Sequence, residues 1–569
     1  MSDFHQSPPR LGNQYDDDRV LRSYLHRVLP PDILAEIKPD LHRLGARAAG
    51  DILELGEAAE AQPPRHVPYD AWGRRVDRID TSAAWRELDR ISAEEGLVAI
   101  GYERAHGSLS RIDQFARLYL FSPSSATYSC PLAMSDGAAR CLELYGESPR
   151  LHAAYEHLTT RDPARFWTSG QWMTERTGGS DVSGTSTIAR REGDGVRLYG
   201  TKWFTSATTS QMAMTLARME GAPEGSRGLS LFYLELRDEA GSLRGIRVHR
   251  LKEKLGTRAL PTAELSLEGT PGWLVGEEGR GVHTIATLFN ITRVYNACAS
   301  VAGMRRSVAL ARDYAVRREA FGKPLSEHPL HVETLAELQV EVEAAFHLVF
   351  RVVELLGRAE CGEASEGEAA LLRLLTPVAK LYTAKQAIGV ASEALEAFGG
   401  AGYIEDTGFP RLLRDAQVLA IWEGTTNVLS LDLLRAIDRG GAMDALRSDI
   451  ETRLSSVTRT ELGAAGERVR GAAAELARYV GCAGEDESTV RDGADREAGA
   501  RALAYSIARV YAGALLLEHA SWSIEHEGDD RAAMAALRWC SRELAPLVRA
   551  DSRRRHDAGV LALDHRHTG

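Results

Sequence analysis

The run RLLRDAQVLAIWEGTTN, residues 411–427, decides how the rest of the chain is read. Arg411 to Gln417 is charged and helix-like, and Val418 to Trp422 is apolar. Glu423 then stands among apolar and small residues, followed at once by Gly424, Thr425, Thr426 and Asn427. A carboxylate beside Trp422 and an apolar run is expected to lose part of its hydration. Desolvation favours proton uptake and suits such a group to proton abstraction near neutral pH. The Gly-Thr-Thr-Asn that follows offers flexible backbone and three side chains that hydrogen-bond, suitable for a polar ligand held beside the base. The same residues also read as the plain end of one helix, an exposed Glu, and a Thr or Asn cap for the next helix.

A chain of 569 residues exceeds one core and predicts three or four domains. The net charge of −11 argues against a surface built throughout for nucleic acid or acidic lipid. Six cysteines, at 130, 141, 298, 361, 482 and 540, form no C-x-x-C pair, so neither a zinc site nor a disulfide framework is indicated. They are expected to be reduced in a cytoplasmic protein. The N-terminal residues lack the apolar core of a signal peptide, and no stretch approaches about 18 uninterrupted apolar residues.

Residues 1–20 are polar and proline-containing, an expected extended arm. Residues 21–165 show helical spacing, as in ILAEIKPDLHRLGARAAGDILELGEAA, broken at 63–80 by a stretch too rich in Pro, Gly and charge for a helix. Between 166 and 286 short alternating segments (GVRLYGTKWF, LSLFYLEL, TAELSLEG) predict an antiparallel β-domain. Long helical patterns return over 287–436, predicting a helical bundle that carries Glu423. Residues 437–569 form a further helical region interrupted by an acidic turn, GEDEST, at 484–489. The class is therefore α+β and multidomain.

Four more stretches carry chemistry. MTERTGGSDVSGT (173–185) places hydroxyls and glycine-freed amides in one loop, suited to a flavin edge or a pyrophosphate, though a surface turn has the same composition. GTKWFTSAT (200–208) reads equally as an amphipathic strand with a core Phe. RREAFGKPLSEHPLH (317–331) reads as a charged helix end capped by Gly322, with Pro324 beyond. FGGAGY (398–403) reads as a helix C-cap.

Taken in order and spacing, these motifs resemble those of the acyl-CoA dehydrogenases. Residues Arg414, Asp415, Ala416, Trp422, Glu423, Gly424, Thr425 and Asn427 match RDA-x4-[IY]-[YW]-EGT-x-[NQ]. Trp422 in place of Tyr, and the YD-x-x-GRR-x-D segment at 69–77, resemble the AidB-like branch, named for a bacterial alkylation-response protein. The dense resemblance covers residues 65–436. It implies that family's fold: an N-terminal helical domain, a β-domain and a C-terminal helical bundle, here with an extra helical domain. It implies FAD, with Met173, Thr174, Gly179, Ser180, Phe204, Thr205, Ser206, Trp422, Thr425 and Asn427 around the flavin, Phe204 packed on the ring and Ser206 donating to N5. Arg318, Phe321, Gly399 and Gly400 would hold the ADP half across a subunit interface. Glu423 would be the catalytic base, with Arg293, Ser180 and Gly424 at the substrate. No metal is implied.

The implied reaction is α,β-dehydrogenation of an acyl thioester in fatty acid metabolism. An electron-transfer flavoprotein or O₂ would be the oxidant, and a homotetramer the assembly. Three departures bear on substrate recognition: Glu396 where the family has Gln, Leu260 where many members have Ser, and Asn290 where some have Asp. The alternatives are an acyl-CoA oxidase-like enzyme and a DNA-associated damage role. The second would require a basic face on the last domain. Residues 437–569 hold 22 Asp and Glu against 19 Arg and no Lys, so nucleic acid is not the expected partner.

Overall fold

The computed structural model describes residues 6–193, 195–481 and 493–564. The acidic turn at 484–489, Cys482 and the first five residues of the arm lie outside them. The N-terminal domain contains α1 (Arg19–Val28), α2 (Pro31–Ala49), α3 (Asp51–Ala61), α4 (Ala83–Glu94), α5 (Ile100–Glu103), α6 (Ser110–Phe121), α7 (Ser129–Tyr145) and α8 (Pro149–Leu158). Asp18 caps α1 by accepting the Leu21 N–H, and Ser82 caps α4 through Trp85 N–H. The arm is strapped down rather than free. Arg10 N–H donates to Asp313, and Arg305 pairs with Asp18 at 2.6 Å.

The break at 63–80 is a hairpin of β1 (Arg65–Tyr69) and β2 (Arg75–Asp80). Asp70 closes its turn by accepting the N–H groups of Trp72 and Arg74. Arg75 donates to the Val248 carbonyl and Asp77 accepts the Val248 N–H, so the hairpin docks on the β-domain.

That domain holds β3 (Ser169–Gln171), β4 (Ile188–Glu192), β5 (Gly195–Ser206), β6 (Met212–Met219), β7 (Leu229–Glu235), β8 (Ile246–Leu251) and β9 (Thr262–Val275). Strands β6, β4, β5, β9 and β7 follow one another in the sheet, and β7 pairs back to β6, closing a barrel without free edges between them. The pairing is mostly antiparallel as expected, but β3 and β4 each meet β6 in parallel. Alternation along β6 serves two buried faces. Ala213 and Ala217 join Leu198, Phe232 and Leu265 on one side. Met212, Met214 and Leu216 pack on the other with Leu142, Leu151, Ile285 and Leu288 from the flanking helices.

The bundle comprises α9 (Gly281–Arg317), α10 (Pro329–Glu360), α11 (Glu366–Ala397), α12 (Phe409–Leu419) and α13 (Thr426–Asp438). Its first helix thus begins six residues before the expected boundary. A capping box between Ser365 and Glu368 starts α11. The last domain adds α14 (Ala442–Ser455), α15 (Gly463–Val480), α16 (Gly493–His526), α17 (Arg531–Cys540) and α18 (Ser552–Leu563). Helix α16 is long and apolar enough in composition to span a bilayer, yet 78% of its most apolar window is buried inside the protein. Its core is continuous with that of the bundle and the N-terminal domain.

Where α16 meets α10, the rings of His519 and His347 lie 4.6 Å apart, and among the described residues neither Nδ1 has a hydrogen-bond partner. Burial, with Arg27 and Arg531 nearby, pushes His519 down to about 3. Burial, then His519, Arg27 and Arg453, holds His347 well below its ordinary value. The folded values lie below the unfolded ones. As pH falls below about 6.5, the unfolded chain therefore binds protons that the native rings refuse, and stability declines. The expected slope is up to about 1.4 kcal/mol per pH unit for each ring. Urea unfolding followed between about pH 7.5 and about pH 5.5 should show this loss, and His519→Leu should flatten it. An unchanged slope in that variant would assign the acid sensitivity elsewhere.

Candidate active site

Between α12 and α13 the chain turns through Glu423 and Gly424, at φ 57° and 104°. Glu423 is a non-glycine residue in the left-handed region, a costly conformation that its surroundings must enforce. A Cβ on Gly424 would press Leu429 Cδ2 at 3.0 Å on top of its strained φ, so glycine belongs there. Glu423 is half-buried. Thr292 Oγ1 donates to its Oε2 at 2.6 Å, and Arg293 Nε donates to its main-chain oxygen at 3.3 Å. Thr425 occupies the N-cap of α13, as the simpler reading of the motif proposed, but its side chain makes no capping bond. Asn427 is exposed in the first turn.

Arg293, expected at the substrate, has a different task. Its guanidinium also donates to Asp432 Oδ2 at 2.7 Å and is largely buried. Burial alone would raise the Asp432 carboxyl; Arg373 and Arg293 outweigh it and hold the group below its usual range. Arg293 therefore braces the Glu423 turn through Nε and Nη1.

The loop at 173–187 and strand β5 carry further candidate residues. Glu175 is buried and accepts from Lys202 Nζ at 2.8 Å, from the Ser186 N–H at 2.7 Å, and from the Thr187 N–H and both hydroxyls. Burial alone would raise Glu175, but Lys202 and these hydroxyls more than offset it, pulling the carboxyl down to about 2. This pair joins two motifs across 27 residues of sequence, a pairing that the spacing of the motifs alone does not reveal. A Cβ on Gly179 would sit 2.5 Å from Thr174 Oγ1, so the loop closes on itself only with glycine there. Ser180 is exposed on the same loop.

A β-bulge sets the face of β5. Lys202 opposes Leu265 and Thr205 opposes Ala263, so Trp203 and Phe204 together face the single residue Glu264. Lys202 and Thr205 turn inward, while Phe204, 53% exposed, and Ser206 turn outward. Two expectations are corrected here. The Thr205 hydroxyl donates to the Ala263 carbonyl inside the sheet. The Met173 side chain is buried in the core between the barrel and its flanking helices. Neither side chain lies on the cofactor face.

Ser206 Oγ meets Thr262 Oγ1 at 3.1 Å, and Lys254 Nζ reaches the same Thr262 hydroxyl at 3.3 Å. Thr257 N–H donates to Asp415 Oδ1 at 2.6 Å, tying the 255–261 loop to α12. Burial and the charge of Glu60 push Asp415 up to about 6. Cys130, raised to about 12 by burial, lies within electrostatic reach of both Lys254 and Glu423.

Arg318 and Phe321 lie beyond the far end of α9 from the residues that meet Glu423. Thr292 and Arg317 lie on the same helix, 25 residues apart, or roughly 38 Å at ~1.5 Å per residue. That is further than a dinucleotide reaches. Phe321 is 97% exposed, and Arg318 donates to Gln6 Oε1 at 3.3 Å. Gly399, at φ 60°, and Gly400 are exposed at the end of α11 with open space where a Cβ would be. The tight contact of FGGAGY falls on Gly402, whose Cβ would lie 2.0 Å from the Leu395 carbonyl.

Four family descriptions match in chain order: the adaptive response protein AidB N-terminal domain over residues 6–162, the acyl-CoA dehydrogenase middle domain over 170–270, the acyl-CoA dehydrogenase C-terminal domain over 279–437, and an acyl-CoA dehydrogenase 11 C-terminal domain-like segment over 441–566. Acyl-CoA dehydrogenase family member 11 of Caenorhabditis elegans is 45% identical over 560 residues, covering 96% of this chain and 90% of its own. The chain belongs to the acyl-CoA dehydrogenase family. Its branch is the AidB-like one: AidB of Escherichia coli is 35% identical over 425 residues, covering 73% of this chain and 76% of that protein. The crystal structure of the C. elegans protein in complex with C11-CoA superposes with a TM-score of 0.95 at 43% identity, covering 100% of this chain and 98% of that one. This acyl-CoA dehydrogenase is an FAD-dependent oxidoreductase.

The residues present fit the flavin. Among the described residues Trp422 Nε1, beside Glu423, is buried without a hydrogen-bond partner and the Thr425 hydroxyl makes no capping bond, and the Gly179–Thr174 closure leaves no room for a side chain. Lys202→Met should leave Glu175 as an uncompensated buried carboxylate, at a cost of about 3–5 kcal/mol. The expected result is a lower melting temperature and loss of flavin on gel filtration. The double variant Lys202→Met with Glu175→Gln should recover part of the stability. A single variant that melts and holds flavin like the wild type would show that the pair does not brace the loop.

Proposed function

We propose that the enzyme removes a Cα proton from an acyl-CoA with Glu423. The observation that carries this reading is the enforced turn at Glu423, which holds a half-buried carboxylate at positive φ against the Thr292 hydroxyl. A Cα proton is too weakly acidic to leave unaided, so enolate charge on the thioester oxygen must be stabilised while the base acts. The Glu423 main-chain N–H is the chain's own donor for that oxygen. Thr292 holds the carboxylate in place before substrate arrives. FAD, when bound, accepts the hydride that leaves Cβ. The Ser206 hydroxyl and the Phe204 ring orient it against the acyl chain.

The C. elegans relative was crystallised with C11-CoA, which supports an acyl-CoA substrate here. An electron-transfer flavoprotein or O₂ completes the turnover, in the cytoplasm and in fatty acid metabolism. The near balance of acidic and basic residues in 437–569 favours this chemistry over a DNA-associated role. Of the basic cluster at 553–555, Arg555 pairs with Asp495.

Glu423→Gln preserves size but cannot take the proton. Mixed anaerobically with acyl-CoAs that bleach the wild-type flavin, it should retain FAD and reduce at least ~10²-fold more slowly. Glu423→Asp should keep partial activity, limited by reach. Reduction of Glu423→Gln at the wild-type rate would remove Glu423 as the base.

The separation of Arg318 from the base along α9 supports an assembly in which each copy completes its neighbour's cofactor site. The assembly is a homotetramer, a dimer of dimers. Sedimentation should report four chains, and heat denaturation should release FAD rather than FMN. Phe321→Asp, placed on an exposed apolar ring, should lower both the assembly state and FAD retention. Full FAD occupancy in a dilute monomer would contradict the shared site.

A further inference from the structure

Helix α11 carries Lys380 into the bundle core, where it is 1% exposed. A lysine so deep normally pairs with a carboxylate, because an ammonium removed from water is costly. Among the described residues Lys380 makes no ion pair, and its one hydrogen bond runs from Nζ to the Gly424 carbonyl at 2.6 Å. Methionine would fill the same core at no electrostatic cost. The ammonium is retained against that cost at one place, behind the turn that carries Glu423.

The turn needs such a hold. Glu423 and Gly424 are consecutive residues at positive φ, and an exposed loop of this sequence would relax. Two donors grip consecutive carbonyls: Arg293 Nε, from α9, takes that of Glu423, and Lys380 Nζ, from α11, takes that of Gly424. Arg293 is anchored in turn by Asp432 on α13. The strained backbone is thus clamped by cations from two helices whose spacing the bundle core fixes. We propose that Lys380 is a positioning residue for the catalytic base, its hold on the Gly424 carbonyl keeping Glu423 in the left-handed conformation that sets its carboxylate against Thr292 and the cleft. This rests on Glu423 acting as the base. The charged groups facing Lys380 are Glu423 and Arg293. Burial pushes its ammonium down to about 7, the Glu423 charge opposes that fall, and Arg293 adds to it.

The experiment compares FAD-loaded wild type with Lys380→Met, which keeps volume and loses the donor, and Lys380→Arg, which keeps a cationic donor. Amide hydrogen exchange of residues 421–427 is read by mass spectrometry, and anaerobic flavin reduction by a cognate acyl-CoA is read separately. Lys380→Met is expected to exchange faster over 421–427 than wild type, with the barrel strands unchanged. It should reduce its flavin at least ~10-fold more slowly, the consequence of a misplaced reacting group, with little change in the substrate concentration for half-maximal rate. Lys380→Arg should restore part of both. In a Glu423→Gln background Lys380→Met should add no further loss, since both act through one carboxylate.

Wild-type exchange over 421–427 in Lys380→Met overturns the proposal. So does a rate loss that multiplies that of Glu423→Gln. If Lys380→Met fails to hold FAD, Lys380→Gln, a shorter neutral donor, is put through the same exchange measurement, and wild-type protection there overturns it equally. If no acyl-CoA reduces the wild-type flavin, the assignment of the base fails, while the exchange data still decide whether Lys380 holds the turn.

Discussion

Arg111 is the constraint on which the arrangement of helices depends. It is 2% exposed and lies between two carboxylates, Glu360 on α10 through Nε at 2.6 Å and Asp136 on α7 through Nη1 at 2.7 Å. Gln114 and Tyr295 complete the hydrogen bonding of Asp136, and Tyr102 adds another from α5. Gly101 leaves room for the guanidinium; a Cβ there would lie 2.5 Å from it. A buried network of this kind is favourable only when every member is satisfied, so it admits one relative placement of α6, α7, α9 and α10.

Much of the chemistry follows from that placement. Tyr295 lies within one turn of Thr292 and Arg293 on α9, so the network that fixes Tyr295 also fixes the two residues that meet Glu423. Helices α7 and α9 then cover the barrel through a shared apolar layer of Leu142, Ile285, Leu288, Met214 and Tyr233. The extra domain extends the same core through α16, which packs on α10, α11 and α13 and so backs the helices that flank the site.

The departures from the common dehydrogenase pattern are also placed by packing. Leu260, where many relatives have Ser, is buried in the main core, so it is one of the residues that seat the 255–261 loop. Glu396 is exposed on the last turn of α11, where water solvates its charge. Asn290 is half-buried on α9, two residues before Thr292. Arg293, an expected substrate contact, bonds the Glu423 carbonyl and Asp432 within the protein.

The sequence by itself determined the class and the order of domains, and it marked the stretches that carry the candidate site. Those are local properties: helical or alternating spacing, glycine where a loop closes, and a carboxylate set after an apolar run. It also marked Glu175 and Lys202 as letters of two motifs, but not as a pair. Only the tertiary structure decided which side chains on those motifs face outward, because a two-residue bulge in β5 reverses the alternation between Lys202 and Phe204. Only it withdrew Thr205, Met173 and Arg293 from the surface, since each finds its partner in a distant segment. It also separated Arg318 and Phe321 from Glu423, a consequence of the rise of one long helix. The left-handed turn at Glu423 belongs to the same class of result. Short-range preference opposes that backbone conformation, and cations brought in by α9 and α11 from more than 40 residues away hold it.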